Sequence, residues 1–96
     1  MNETKIIRVL RWFEKDPNDS LVGEAELRNI TVGELNRIFG EQPNDPKFYA
    51  CHPVQAQHVP LLQHHTKTFI DLTRYDYFIE YDAIDVVTKI SDTKTT

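Results

Sequence analysis

Three sets of residues in this 96-residue chain have the types that chemistry requires. The first is Cys51 with the four histidines His52, His58, His64 and His65. A thiolate nucleophile needs a base within hydrogen-bond reach. Cys51 and His52 are neighbours, and on a strand neighbouring side chains point to opposite faces. The base would therefore have to be His58, His64 or His65. No family-specific cysteine signature surrounds Cys51, so the expected role is that of a buried structural cysteine. A zinc set would combine His52, His58 and one of the tandem pair. Zinc motifs pair their ligands at short fixed spacings, and none occurs here. His58 and His65 are two helical turns apart, but Pro60 lies between them. Solvated histidines in loops or at helix ends are the expectation, with no metal or cofactor.

The second set is the carboxylates Asp71, Asp76, Glu80, Asp82 and Asp85. Glycosidase chemistry needs two of them across a substrate cleft, and a domain of this size has little room for one. The three glycines never pair into a phosphate loop. Ser20 and Ser91 fall in a turn and a tail, away from any triad signature.

The third set is the run Arg74 to Asp82, RYDYFIEYD, where tyrosines interleave with acids. Tyrosine offers a large contact area with a polar tip at low entropy cost, and it is enriched at binding hot spots. Acidic groups steer a basic partner and speed association. The run reads as a recognition strand: Tyr75, Tyr77 and Tyr81 as anchors, Asp76, Glu80 and Asp82 as steering charges. A second reading packs the tyrosines into the core with Ile79, hydroxyls at the rim, because any half-buried strand alternates. Asp76, Glu80 and Asp82 then form an acidic row on a solvated face that also carries Phe78 and Ile84.

These groups need a scaffold to hold them. Ile6 to Phe13, IIRVLRWF, is rich in β-branched and aromatic residues and has no polar face, which predicts a central strand. KDPNDS at 15–20 predicts a turn, and Leu21 to Arg28 alternates as a hairpin partner. If the turn centres near Pro17 and Asn18, Trp12 lies across from Gly23 and Arg11 from Glu24. Thr31 to Phe39 predicts a helix. Thr31 and Glu34 form a capping box; Val32, Leu35, Ile38 and Phe39 form an apolar stripe; Gly40 follows the end. Lys47 to His52 predicts a short strand ended by Pro53. Gln55 to His65 predicts either an irregular helix or a turn followed by a helix from Pro60. Tyr75 to Ile84 is the last strand. The order β-β-α-β-α-β predicts a single α+β domain: a mostly antiparallel sheet of about four strands with helices on one face. It spans residues 1–90, with 91–96 as a frayed tail.

Composition agrees with this size. Apolar residues make up 40%, charged residues 27%, and the net charge is -4. A multidomain enzyme, a dinucleotide-binding fold and a barrel enzyme are excluded by length. The 11 basic residues are scattered, with no two adjacent, which argues against nucleic acid. A lone cysteine fits a reducing compartment. No apolar stretch reaches signal-peptide or membrane-spanning length, so a soluble cytoplasmic protein is expected. The charge is uneven: from Asp71 to Asp85 five acids face one arginine, Arg74.

Several segments resemble a small, mostly uncharacterised family of bacterial stand-alone domains. They are Arg11 to Lys15 (RWFEK), Leu21 to Glu24 (LVGE), Glu34 to Gly40 (ELxxxFG), Cys51 to Val54 (CxPV) and Asp71 to Glu80 (DLxRYDYFxE). The resemblance covers about residues 5–85 and implies one complete domain, with no catalytic residue to carry over. In size, charge and its Tyr/acid strand the chain also looks like immunity proteins that neutralise toxin nucleases. The functional expectation is a non-enzymatic protein-interaction module, in the manner of an immunity or antitoxin-like inhibitor. The alternatives are a homo-oligomeric structural or assembly protein, and a metal or thiol enzyme built on Cys51 and the histidines.

Overall fold

A computed structural model describes the backbone of residues 2–87 and the side chains of residues 4–84. The expected frayed tail, 91–96, lies outside the described residues. The elements are β1 (Asn2–Glu14), β2 (Leu21–Glu26), α1 (Val32–Phe39), β3 (His52–Pro53), α2 (Val59–Leu62) and β4 (Tyr75–Val87). Short 3-10 turns at Ala56–His58 and Gln63–His65 flank α2. The four strands form one antiparallel sheet in the order β2-β1-β4-β3. The fold is α+β, and β1 is a central strand as its apolar composition requires.

The hairpin register is the expected one: Trp12 opposes Gly23 and Arg11 opposes Glu24. Glycine is required at 23 by close approach. A Cβ there would lie 2.5 Å from Trp12 Cζ2 and 2.8 Å from Cε2. The indole therefore lies against the β2 backbone.

Alternation gives the sheet two different faces. Leu10, Trp12, Tyr77 and Ile79 face the helices, where Leu27, Leu35, Ile38, Phe48, Val54, Leu62 and Ile70 complete the core. Ile7, Val9, Arg11 and Phe13 of β1, with Phe78, Glu80 and Asp82 of β4, point to the other face by register.

In α1, Thr31 Oγ1 accepts the Glu34 N–H at 3.1 Å, and Leu35 and Ile38 are buried. The Glu34 carboxylate turns to Arg37 at 3.5 Å and His65 at 4.0 Å rather than back to the cap. Gly40, past the end, has φ of +85°, the left-handed region that favours glycine. The segment from 55 is the irregular helix. Pro60 is the second residue of α2, where its missing N–H removes no helical bond.

One expectation needs correction. Lys47 to His52 is not a strand; pairing begins only at His52 and stops at Pro53. The cause is Asp45, whose carboxylate accepts the Tyr49 and Ala50 N–H groups at 2.9 and 3.0 Å. With those donors bound locally the segment loops, and Phe48 takes φ of +56° to enter the core. The second strand also ends earlier than Arg28. Leu27 leaves the ladder for the core while its N–H still bonds Arg8 O at 2.8 Å.

Trp12 is the single tryptophan, so its emission reports on this packing. Gly23→Ala forces the indole aside and should cost about 1–3 kcal/mol. Urea unfolding followed by Trp12 fluorescence measures this, with a shift in the native emission maximum as a second sign.

Candidate functional site

The face away from the helices is organised by Arg11. Its guanidinium reaches three carboxylates: Glu24 from Nε at 2.7 Å, Glu80 from Nη1 at 2.6 Å and Asp82 from Nη2 at 2.7 Å. In register, Glu80 lies opposite Val9 and Asp82 opposite Ile7. Arg11 therefore leans back along the β1–β4 ladder toward the level of Val9, which is only 4% exposed. Arg11 itself is 19% exposed. Its pKa is raised by Asp82, Glu24 and Glu80 in that order, so it stays charged. The Asp82 carboxyl is held below its ordinary range by the hydrogen bond from Arg11.

Beside this network Phe13 and Phe78 meet edge to face, with ring centroids 5.7 Å apart. They line a cleft of about 300 Å³ with Asp19, Cys51, Asp76 and Glu80. Lys15 Nζ sits 2.9 Å from Asp76 Oδ1. By register Glu24 and Glu26 of β2 and Lys5 of β1 share this face. Among the described residues six carboxylates thus stand against three cations, on a surface with an aromatic floor.

The last strand, β4, expected from sequence to be a recognition strand, divides between the two faces. Asp76, Glu80 and Asp82 are on the helix-free face. Tyr77 is buried in the core; its hydroxyl accepts the Asp71 N–H at 3.1 Å and donates to Phe69 O at 3.4 Å. Tyr75 and Tyr81 are half-buried on the helix side. Tyr75 stands 6.3 Å from Tyr77. Tyr81 meets Tyr49 at a tilt of 42° with ring centroids 4.5 Å apart, and Arg8 lies over its ring. The six residues do not make one contact surface.

The thiol and the imidazoles are also kept apart. Cys51 Sγ lies 3.5 Å from Glu80 Oε2. Partial burial, then the Glu80 charge, pushes its pKa up, so the thiol stays protonated. Cys51 is exposed rather than buried, contrary to the structural reading of it. His52 packs on Phe48 at 5.0 Å and bonds Asp45 at 2.8 Å. His65 Nδ1 meets Arg28 O at 2.8 Å, and His64 is exposed. His58 is buried, accepts the Gln55 N–H at Nδ1 and has its pKa lowered by desolvation. Among the described residues, no group of three or more His, Cys, Asp or Glu is placed to hold a metal. No helix among them is long and apolar enough to cross a membrane.

A family profile described as "Domain of unknown function (DUF7683)" matches residues 7–80. The chain belongs to this family. The DUF7683 segment runs from β1 into β4 and includes Arg11, Phe13, Glu24, Cys51, Phe78 and Glu80; Asp82 lies just beyond it. None of the curated proteins compared with the chain matches it.

Of the features on the helix-free face, the Arg11–Glu24 pair is legible in the hairpin. The bonds to Glu80 and Asp82 and the Phe13–Phe78 contact need the β1–β4 register. Shared parity of Arg11 with Phe13, and of Phe78 with Glu80, was the available signal.

Two pH-dependent outcomes follow for this DUF7683 domain. Asp82 has a folded pKa below its ordinary 3.8, so its contribution is present above that value and lost as pH falls through the folded one. Arg11→Met should cost about 2–3 kcal/mol at pH 7, between an exposed and a buried pair. The difference from wild type should shrink toward pH 3, as read by urea unfolding at both pH values. His58 also favours its neutral form when folded. Its contribution is complete above the ordinary 6.5 and is lost as pH falls through the lower folded value. Wild type should therefore lose stability between pH 7.5 and 5, and His58→Gln should lose less over the same interval.

Proposed function

We propose that the domain is a non-enzymatic protein-binding module that docks a basic protein on the helix-free face of its sheet. The observation that carries this is the pairing, on one face, of the Phe13/Phe78 floor with the carboxylates around Arg11. The aromatic floor supplies desolvated contact area. The acids supply steering and exclude acidic partners. Because Arg11 holds Glu24, Glu80 and Asp82 in place, little side-chain entropy remains to be lost on docking. An inhibitor of the immunity or antitoxin kind is one form of such a module, consistent with its small size and acidic balance. The working residues are Asp76, Phe78, Glu80 and Asp82 from the last strand, joined by Phe13, Glu24 and Glu26.

A homo-oligomeric assembly role is favoured by a different feature. The outer edge of β2 is open, and Leu21 and Val22 on it are 55% and 43% exposed. Such an edge can pair with a second copy.

Capture from native lysate with three baits tests the docking reading: wild type, Glu26→Lys on the face, and Arg37→Glu on the exposed side of α1. A single species should be held by wild type and Arg37→Glu, fall about tenfold with Glu26→Lys, and be released by added salt. Equal capture by all three baits would overturn it. Light scattering of the free protein at twice the 11.2 kDa chain mass would favour the assembly role instead.

A further inference from the structure

We propose that the cleft between Phe13 and Phe78 is a socket for one lysine side chain of the docked protein. This rests on the docking reading above and names what the face grips. Two clefts adjoin at Asp76 and Phe78. The first, about 260 Å³, is lined by the protein's own Lys15, whose ammonium bonds Asp76 Oδ1 at 2.9 Å. The second, about 300 Å³, is lined by Phe13, Asp19, Cys51, Asp76, Phe78 and Glu80, with no cation among them.

The chemistry of the second cleft fits an aliphatic ammonium. Its floor is two aromatic rings and a neutral thiol, against which a four-carbon stem packs. Ring faces add attraction for a cation. Its rim carries three carboxylates; Glu80 is already bonded by Arg11 at 2.6 Å and Asp76 by Lys15 at 2.9 Å, and the three rotatable donors of an ammonium add to these acceptors and to Asp19. Lys15 shows that Asp76 already accepts an ammonium on one side. Asp19 is crowded: its pKa is raised chiefly by a hydrogen bond with Asp16 and by desolvation, then by the charges of Asp16 and Asp76. A cation entering the cleft relieves that crowding. Lys15 and Asp76 are each close to half exposed, so their pair is weak and its ammonium exchanges readily.

The test is an amide-resolved NMR titration of the labelled protein with acetyl-lysine methylamide. Acetyl-norleucine methylamide, with the same stem and no charge, is the control. Shifts should concentrate at Phe13, Cys51 and Phe78 and saturate, while norleucine should act several-fold more weakly. Asp76→Asn should abolish the shifts. Lys15→Ala should tighten lysine binding roughly threefold, the scale of one exposed ion pair, and Lys47→Ala, which does not line the cleft, should not. Shifts spread over all surface acids, an equal response to norleucine, or equal tightening by both lysine variants would overturn the socket. If the socket fails while Glu26→Lys still abolishes capture, only the socket falls. If Glu26→Lys leaves capture intact, the docking reading falls with it.

Discussion

In the ladder between β1 and β4, Leu10 lies opposite Ile79 and Arg11 opposite Phe78. Those two adjacent pairs point to opposite faces. The first joins the core and the second forms part of the helix-free surface. A slip of one residue would exchange them, placing Arg11 among Leu35, Ile38 and Leu62 with no carboxylate in reach. The cost of burying an unpaired guanidinium and the loss of the Leu10–Ile79 contact both oppose it. Hydrophobic burial on one side and ion pairing on the other thus select the same register.

From that register most of the molecule follows. Tyr77, opposite Trp12, is carried inward, and its hydroxyl ties down the backbone at Phe69 and Asp71. Trp12 is pressed against Gly23, which ties β2 to the same frame. On the far edge β3 is only two residues long because Asp45 diverts the backbone before it. That diversion sets Cys51 beside Glu80 and turns His52 into the aromatic layer of Phe39 and Phe48. Cys51 and His52 are thereby turned to different partners, Glu80 for the thiol and Asp45 with Phe48 for the imidazole.

The electrostatics of the last strand also change meaning in three dimensions. Along the chain, residues 71–85 hold five acids and one arginine, which suggests a strand of free negative charge. In space Arg11 and Lys15, from 61 to 71 positions earlier, neutralise part of it. What remains is a structured acidic surface in which each of the paired carboxylates has a fixed direction.

Local sequence was enough for the hairpin register, the capped helix at Thr31, the central position of β1 and the α+β class, because each depends on neighbours a few residues apart or on simple periodicity. It also limited the last strand to two arrangements: tyrosines exposed, or tyrosines in the core. The choice between them was made by tertiary structure, since which face the helices cover is settled by where Leu35, Ile38 and Leu62 find the largest apolar area. The bonds from Arg11 to Glu80 and Asp82, the Phe13–Phe78 contact and the cleft they enclose were equally out of reach. They join residues at opposite ends of the chain, and only the pairing of its first strand with its last brings them together.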